Sequence, residues 1–259
     1  MLLVLDIGNS NLVFGLYNAA DWHAIWREET ITQRSAEEYA FAIKNHCFEE
    51  GIDLKAIQKI VMSSVVPDLT PVLRQTFIGL LDIEPLVLNT ELIQRLPVHV
   101  QRPHEIGADL VANAIAGYAL AGEACIIVDF GTALTFTTVG KGGEILGVAI
   151  TPGLKTAIKS LFAHTAQLPE VPLQVPTSAI GKNTTHAIQA GILLGYEGLV
   201  KHLLAHIQTD LAMPCKLYAT GGLVEALPAL HTVFDAIVPT LTLDGLRLVA
   251  EHFSKPLES

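Results

Sequence analysis

The stretch Leu2–Gly15 reads LLVLDIGNSNLVFG, and its reading decides the fold. An apolar run of strand length ends on Asp6. Gly8, Asn9, Ser10 and Asn11 follow, and a second apolar run starts at Leu12. Runs of that length bounded by turn residues predict strand, tight turn, strand. The turn gathers a carboxylate, small hydrogen-bonding side chains and a close backbone approach, the parts that a phosphate group with its Mg²⁺ needs. Alone, the stretch reads equally as an ordinary hairpin with a polar tip, because such turns favour Gly and Asn.

A second copy changes the balance. Cys125–Val139 reads CIIVDFGTALTFTTV, so an apolar strand again ends in Asp, an apolar residue, Gly and a small polar residue. Asp6 matches Asp129, Gly8 matches Gly131 and Asn9 matches Thr132. The offset is close to half the chain. One Asp-x-Gly is a weak signal, but two, each after a buried strand and one per half, are a strong one. The chain therefore divides into two related halves, 1–118 and 119–259.

Working outward, Trp22–Thr30 alternates as a third strand. Ser35 and Glu38 have capping-box spacing for a helix running to about Glu50, with Tyr39, Ile43 and Cys47 on one apolar face. Lys59–Val66 reads as a buried strand, Asp68–Leu81 as a helix and Pro85–Leu88 as a short strand. After a Pro-punctuated loop, a helix runs from Leu110 to about Gly122 and places Asp109 at its N-terminus. In the second half, Gly142–Ile150 is a strand and Leu154–Thr165 a helix, followed by a loop at Leu168–Pro176. A long helix covers about Thr185–Gln208, Lys216–Thr220 is a strand, Leu223–Leu227 a helix and Leu243–His252 the last helix. Strands alternating with helices make an α/β protein. Ala187, Gly191 and Gly195 lie four apart on one stripe of the long helix. Glycine there costs about 1 kcal/mol against alanine, so another helix approaches closely, from a partner subunit or from this chain. Gly221-Gly222 after a strand either admits a planar or phosphate ligand or makes a plain turn.

Composition bounds the function. The chain has 259 residues, of which 50% are hydrophobic and 16% charged. That suits one large domain or two smaller ones with ample core. No run approaches the roughly 20 apolar residues of a spanning helix, and the N-terminus lacks a signal-peptide pattern. A formal charge of −10 argues against nucleic acid. Three scattered cysteines form neither a disulfide framework nor a metal site and suggest a reducing, cytoplasmic setting.

Two matched loops, one per half, suggest a nucleotide held in a cleft between two similar domains. Phosphoryl transfer asks for positioning, charge neutralisation and a group that orients the nucleophile. Asp6 suits Mg²⁺, the Gly8–Asn11 turn and Thr132 suit phosphates, and Asp109 is the leading carboxylate for an acceptor hydroxyl. The plainer role for Asp109 is a helix cap or dipole partner, worth about 0.5–2 kcal/mol. There is no P-loop, no Gly-x-Gly-x-x-Gly, no zinc-type histidine spacing and no Gly-x-Ser-x-Gly elbow. His104, His164 and His186 read as surface or packing residues.

These motifs resemble one family, the type III pantothenate kinases of the actin-like ATPase and sugar-kinase superfamily. The resemblance rests on DIGNSN (Asp6–Asn11), SSVVP (Ser63–Pro67), GAD (Gly107–Asp109), VDFGTA (Val128–Ala133), TPGL (Thr151–Leu154), IGKNT (Ile180–Thr184), QAGILLGY (Gln189–Tyr196) and ATGGL (Ala219–Leu223), in order along nearly the whole chain. It implies an α/β fold of two duplicated ribonuclease-H-like domains, a homodimer, and ATP-dependent phosphorylation of pantothenate at the start of coenzyme A synthesis. It also implies Mg²⁺ and a monovalent cation, K⁺ or NH₄⁺. By motif, Asp6, Ile7, Gly8, Asn9, Ser10, Asn11, Leu12 and Val13 would bind ATP, with Asp6 near Mg²⁺ and Thr132 also on the phosphates. Gly107, Ala108, Asp109, Leu110 and Thr184 would hold pantothenate, Asp109 would accept the proton of its hydroxyl, and Asp129 would bind the monovalent cation.

The chain departs from the family pattern at three places. Leu110 stands where the family has arginine, Leu134 and Thr137 replace Thr and Asp, and Gly147-Val148 replaces Gly-Gly. A leucine has neither the charge nor the planar donor fork of arginine. Two alternatives follow: a catalytically altered, nucleotide-binding regulator, or a kinase for another small hydroxylated acceptor.

Overall fold

A computed structural model describes residues 1–163 and 171–254. In chain order these hold β1 (Leu2–Ile7), β2 (Asn11–Tyr17), β3 (Trp22–Glu29), α1 (Ala36–Glu49), β4 (Lys59–Ser64), α2 (Leu69–Leu81), β5 (Leu86–Val87), the one-turn α3 (Thr90–Ile93) and α4 (Ala108–Ala121). There follow β6 (Cys125–Phe130), β7 (Ala133–Val139), β8 (Ile145–Pro152), α5 (Leu154–Ala163), α6 (Thr184–Gln189), α7 (Gly195–Leu211), β9 (Lys216–Thr220), β10 (Ala236–Ile237) and α8 (Leu241–His252).

One wiring is used twice. The first sheet has the order β3-β2-β1-β4-β5, and the second β8-β7-β6-β9-β10. In each, three antiparallel strands (β1–β3, β6–β8) are followed by two parallel ones that return beside the first. β1 is central and buried on both faces: Leu3, Leu5 and Ile7 enter the core that also holds Phe14, Tyr39, Ile43 and Phe77, while Val4 is equally inaccessible. β6 does the same with Ile126, Val128 and Phe130, packed with Phe136, Leu193 and Val200. Near-continuous apolar runs in both central strands follow from burial on both faces.

Contacts group the chain into two units, Met1–Ala116 with the segment from Leu241 onward, and Gly117–Thr240. α8 therefore belongs with the first sheet. Lys59 donates to Ala250 O at 2.6 Å, Trp22 Nε1 to Asp244 Oδ1 at 3.1 Å, and Thr242 Oγ1 to Asn113 Oδ1 at 2.7 Å. Gly245 is a packing requirement, since a Cβ there would collide with the Ala112 carbonyl.

Most elements sit where the pattern places them. Ser35 accepts the Glu38 N–H and Glu38 returns the bond to the Ser35 N–H, the expected capping box. Several details differ, among them the short strand β10, to which the pattern assigns nothing. The short α3 follows β5 in a stretch to which the sequence pattern assigns no element, because a single turn carries too few residues to show a period. The helix expected over about Thr185–Gln208 is α6 and α7 joined by a π-helical turn at Ala190–Leu194. The Leu223–Leu227 helix is a 3₁₀ turn at Val224–Ala226. At Gly191 and Gly195 a Cβ would meet nothing within 4 Å. Ala187 of the same stripe has Gly181 packed tightly against it, within this chain. Part of the expected Leu154–Thr165 helix and of the Leu168–Pro176 loop, with His164, lies outside the described residues. No described helix is long and apolar enough to cross a membrane.

Candidate active site

The first Asp-Gly loop lies at the carboxyl end of β1. Asp6 is half-buried and pairs in register with Val13 of β2 on one side and Ser63 of β4 on the other. Ser63 is fully buried, and its Oγ donates to Asp6 Oδ1 at 2.5 Å. The turn closes through the Gly8 N–H, which donates to Asn11 O at 3.0 Å. A Cβ at Gly8 would stand 3.0 Å from that oxygen, tighter than side chains tolerate easily. Thr30, just past β3, holds the loop from outside: its Oγ1 donates to Gly8 O at 2.6 Å and its N–H to Ser10 O at 3.1 Å. Asn9, Ser10 and Asn11 are exposed, while Ile7 and Leu12 anchor the turn in the core. The hairpin therefore offers polar groups on a rigid base.

The Gly107–Asp109 motif reaches the same strand ends. The Val65 N–H donates to Ile7 O at 3.0 Å, extending the β1–β4 ladder by one residue. Val65 in turn stands against Gly107, 3.5 Å from where a Cβ would lie. Carboxyl ends of strands in open α/β sheets are where ligands bind. Asp109 sits in the first turn of α4, half-buried, and accepts the Leu110 N–H at 2.8 Å. Burial pushes its carboxyl above the usual carboxylate range, against the lowering effect of that N–H and its own. A half-buried carboxylate with a raised pKa is the tuning expected of a proton acceptor. A Cβ at Gly107 would press on the Asp109 carboxylate, so glycine there leaves it room. Leu110 is buried at 8% exposure and packs as an interior side chain.

The second loop is held differently. Asp129 is half-buried at the end of β6 and pairs in register with Thr220 of β9. The Gly131 N–H donates to Ala133 O at 3.1 Å. Thr132 is exposed, and its carbonyl accepts the Gly153 N–H at 3.0 Å and Thr156 Oγ1 at 2.7 Å. A Cβ at Gly153 would overlap the carbonyls of Gly131 and Thr132. Gly221 has φ +93°, and a Cβ there would stand 2.5 Å from Asp129 Oδ1 and 2.6 Å from the Phe130 nitrogen. Two glycines, Gly153 and Gly221, thus press backbone onto this loop. Thr184 opens α6 behind the Asn183 cap and lines an apolar cavity of about 320 Å³ with Leu161, Ala187, Ile188, Gly191 and Ile192. Gly181 lies so close under Ala187 that no side chain fits, which explains the glycine of IGKNT.

Each unit therefore gathers its own set. In the first, Asp6 to Val13 and Gly107 to Leu110 converge on the ends of β1 and β4. In the second, Asp129, Gly131, Thr132, Gly153 and Gly221 converge on the end of β6. Motif reading passed over Thr30 and Thr156, and it used Ser63 only as part of SSVVP. Each of these bonds joins residues distant in sequence; for Ser63 the available signal was a hydroxyl at the register position facing Asp6, legible only once strand pairing is known.

A duplicated five-stranded α/β unit with an Asp-Gly loop after its first strand defines the class of fold, one shared with a protein assigned as a sugar-acid kinase. A Sinorhizobium meliloti protein assigned as a 2-dehydro-3-deoxygalactonokinase has this fold with a TM-score of 0.60, covering 100% of this chain and 99% of its own at 12% identity. A Campylobacter jejuni protein assigned to the Baf family of transcriptional activators superposes with a TM-score of 0.60 over 97% and 98% of the two chains at 22% identity. The family model of type III pantothenate kinase matches residues 2–206. A type III pantothenate kinase of Moorella thermoacetica is 40% identical over 252 residues, 97% of this chain and 99% of its own. The chain belongs to the type III pantothenate kinase family.

Proposed function

We propose that the chain transfers the γ-phosphoryl group of ATP to the primary hydroxyl of pantothenate, the step that opens coenzyme A synthesis, with Asp109 as proton acceptor. The observation that carries the reading is Asp109 itself: a half-buried carboxylate of raised pKa at the strand ends where the Asp6 loop also lies. The near full-length likeness to type III pantothenate kinases supports the substrate.

In this reading Asp6 to Val13 receive ATP, and the exposed Thr132 hydroxyl meets its phosphates. Asp6 fits a Mg²⁺–phosphate group, because it is a hard carboxylate held in one orientation beside a turn of small residues. When bound, Mg²⁺ neutralises charge on the transferring phosphates. Asp129 offers oxygen to K⁺ or NH₄⁺, and the missing Cβ at Gly221 keeps space against its Oδ1. Gly107 to Leu110 and Thr184 hold pantothenate. Asp109 orients the hydroxyl and takes its proton as the bond to phosphorus forms; its raised pKa makes it a better acceptor than an ordinary carboxylate.

The chain works as a cytoplasmic homodimer. Leu146, Ile150 and Phe162 of the second unit are exposed, and a Cβ at Gly191 or Gly195 would meet nothing within 4 Å among the described residues. Both features suit cover by a second copy. The halves 1–118 and 119–259 are the duplicated units by descent, with the terminal helix packed on the first.

A coupled assay tests the activity. ADP release that requires pantothenate, Mg²⁺ and K⁺ together is the expected result. No pantothenate-dependent release, with Asp109→Asn leaving any turnover unchanged, would overturn it. Turnover with pantetheine or a simple polyol instead would assign the acceptor differently, a reading favoured only by the buried Leu110 at the arginine position.

A further inference from the structure

The SSVVP segment contains two adjacent serines with different surroundings. Ser64 Oγ accepts the Val66 N–H at 3.1 Å and the Thr70 hydroxyl at 2.8 Å. It shapes the turn from β4 into α2. Ser63 points to the other face of the strand, as alternation requires. It is fully buried, and it donates to the loop carboxylate, Ser63 Oγ to Asp6 Oδ1 at 2.5 Å. The parallel register Asp6↔Ser63 dictates the pair, because facing residues on neighbouring strands direct side chains to the same side.

The second unit repeats the arrangement independently. β6 pairs β9 as β1 pairs β4, and the position facing Asp129 is Thr220, another hydroxyl, 2% exposed. A buried hydroxyl in a core of Val, Ile and Met side chains needs a reason, since a polar group there is costly unless bonded. In the first unit that reason is the carboxylate of Asp6.

We propose that Ser63 is a positioning residue for Mg²⁺–ATP: it holds the Asp6 carboxylate in the rotamer that meets the metal–phosphate group. The proposal rests on the assignment of Asp6 to that group. A side-chain carboxylate at a strand end samples several rotamers, and a short bond to a hydroxyl locked in the core selects one. Partners that orient a metal-facing carboxylate typically change metal affinity by about 10–100-fold when removed. Ser63 is fully buried and bonded to Asp6, so its effect on a bound group passes through that carboxylate.

The test is calorimetric titration of the full chain with a non-hydrolysable ATP analogue, with and without Mg²⁺. In Ser63→Ala, the gain in nucleotide affinity conferred by Mg²⁺ falls about tenfold or more, while metal-free affinity and the melting curve change little. Ser63→Thr, the residue type of the repeated position, retains the gain. The Asp6→Asn, Ser63→Ala double variant loses no more than Asp6→Asn alone, the coupling expected of residues acting as one unit. Should Ser63→Ala not fold, Ser63→Cys, nearly isosteric with a weak donor, carries the same comparison. An unchanged Mg²⁺ gain in Ser63→Ala, with the gain lost in Asp6→Asn, overturns the positioning role and leaves the Asp6 assignment standing. Equal loss with and without Mg²⁺ reduces Ser63 to a structural residue and also overturns it. Retention of the full gain in Asp6→Asn overturns both assignments.

Discussion

The two Asp-Gly loops share one wiring and differ in what immobilises them. In the first, two buried or loop-edge hydroxyls add to the backbone bonds: Ser63 on the Asp6 carboxylate and Thr30 on the Gly8 carbonyl. In the second, glycine backbone is pressed onto the loop from two sides. Gly153 lies against the Gly131 and Thr132 carbonyls, Gly221 lies against Asp129 at positive φ, and Thr156 adds one hydroxyl bond. The lesson is that a duplicated fold conserves strand register more tightly than the means of fixing its loops. A loop fixed by hydroxyls can lose them one at a time. A loop fixed by glycine contact fails when a single carbon is added.

The largest expected effect lies on the second loop. Gly221→Ala puts a Cβ into Asp129 and Phe130 at a φ that L-residues avoid. It should cost about 3 kcal/mol or more of stability, as clash and strain combine, and remove turnover. Urea unfolding and the coupled assay measure both. A well-folded, active Gly221→Ala would break the contrast between the loops.

Asp109→Asn should lower kcat by about 10²–10⁴-fold, the range for loss of a general base. It should also raise the melting temperature at neutral pH, because burial penalises the ionised carboxylate. The sign follows from linkage: an acid whose folded pKa is raised makes the folded state bind more protons than the unfolded one, so its penalty is complete above the folded pKa. It fades as pH falls towards the unfolded value of about 3.9. The thermal advantage of Asp109→Asn should shrink over the same interval, and the acid limb of wild-type kcat should lie above the ordinary carboxylate range.

Thr30→Val and Thr156→Val remove one equivalent bond from each loop. Each should cost about 1 kcal/mol of stability. The KM for ATP should rise more in Thr30→Val, since the Thr132 carbonyl keeps the Gly153 N–H in the second loop. Equal KM shifts would show that the two modes of fixation are interchangeable. Ser35→Ala, away from either loop, sets the baseline: about 1 kcal/mol lost from the α1 cap, with the KM for ATP unchanged.

Much of this was legible before any coordinates. The Leu2–Gly15 hairpin and its echo at Cys125–Val139 follow from apolar runs, Asp and Gly in a fixed local order. So do the α1 capping box and Asp109 in the first turn of α4. The Gly191–Gly195 stripe was visible too, but not the π-helical turn that interrupts it, because a one-residue change in hydrogen-bond register leaves composition untouched. Ser63 shows the limit most plainly. Its motif was read, yet its partner was not, since Asp6 and Ser63 meet only through the pairing of β1 with β4 across an intervening hairpin and helix.

The amino-acid order by itself determined the local elements, the duplicated strand-and-loop pattern and the family, because periodicity, capping and turn preference act over a few residues. The tertiary structure alone decided that the terminal helix packs on the first sheet, that Gly107 meets Val65 at the strand ends, and that burial raises the pKa of Asp109. It alone decided which distant residues meet each loop: Ser63 and Thr30 at the first, Gly153, Gly221 and Thr156 at the second. These depend on long-range register and on exclusion of water, and neither is written in any short window of sequence.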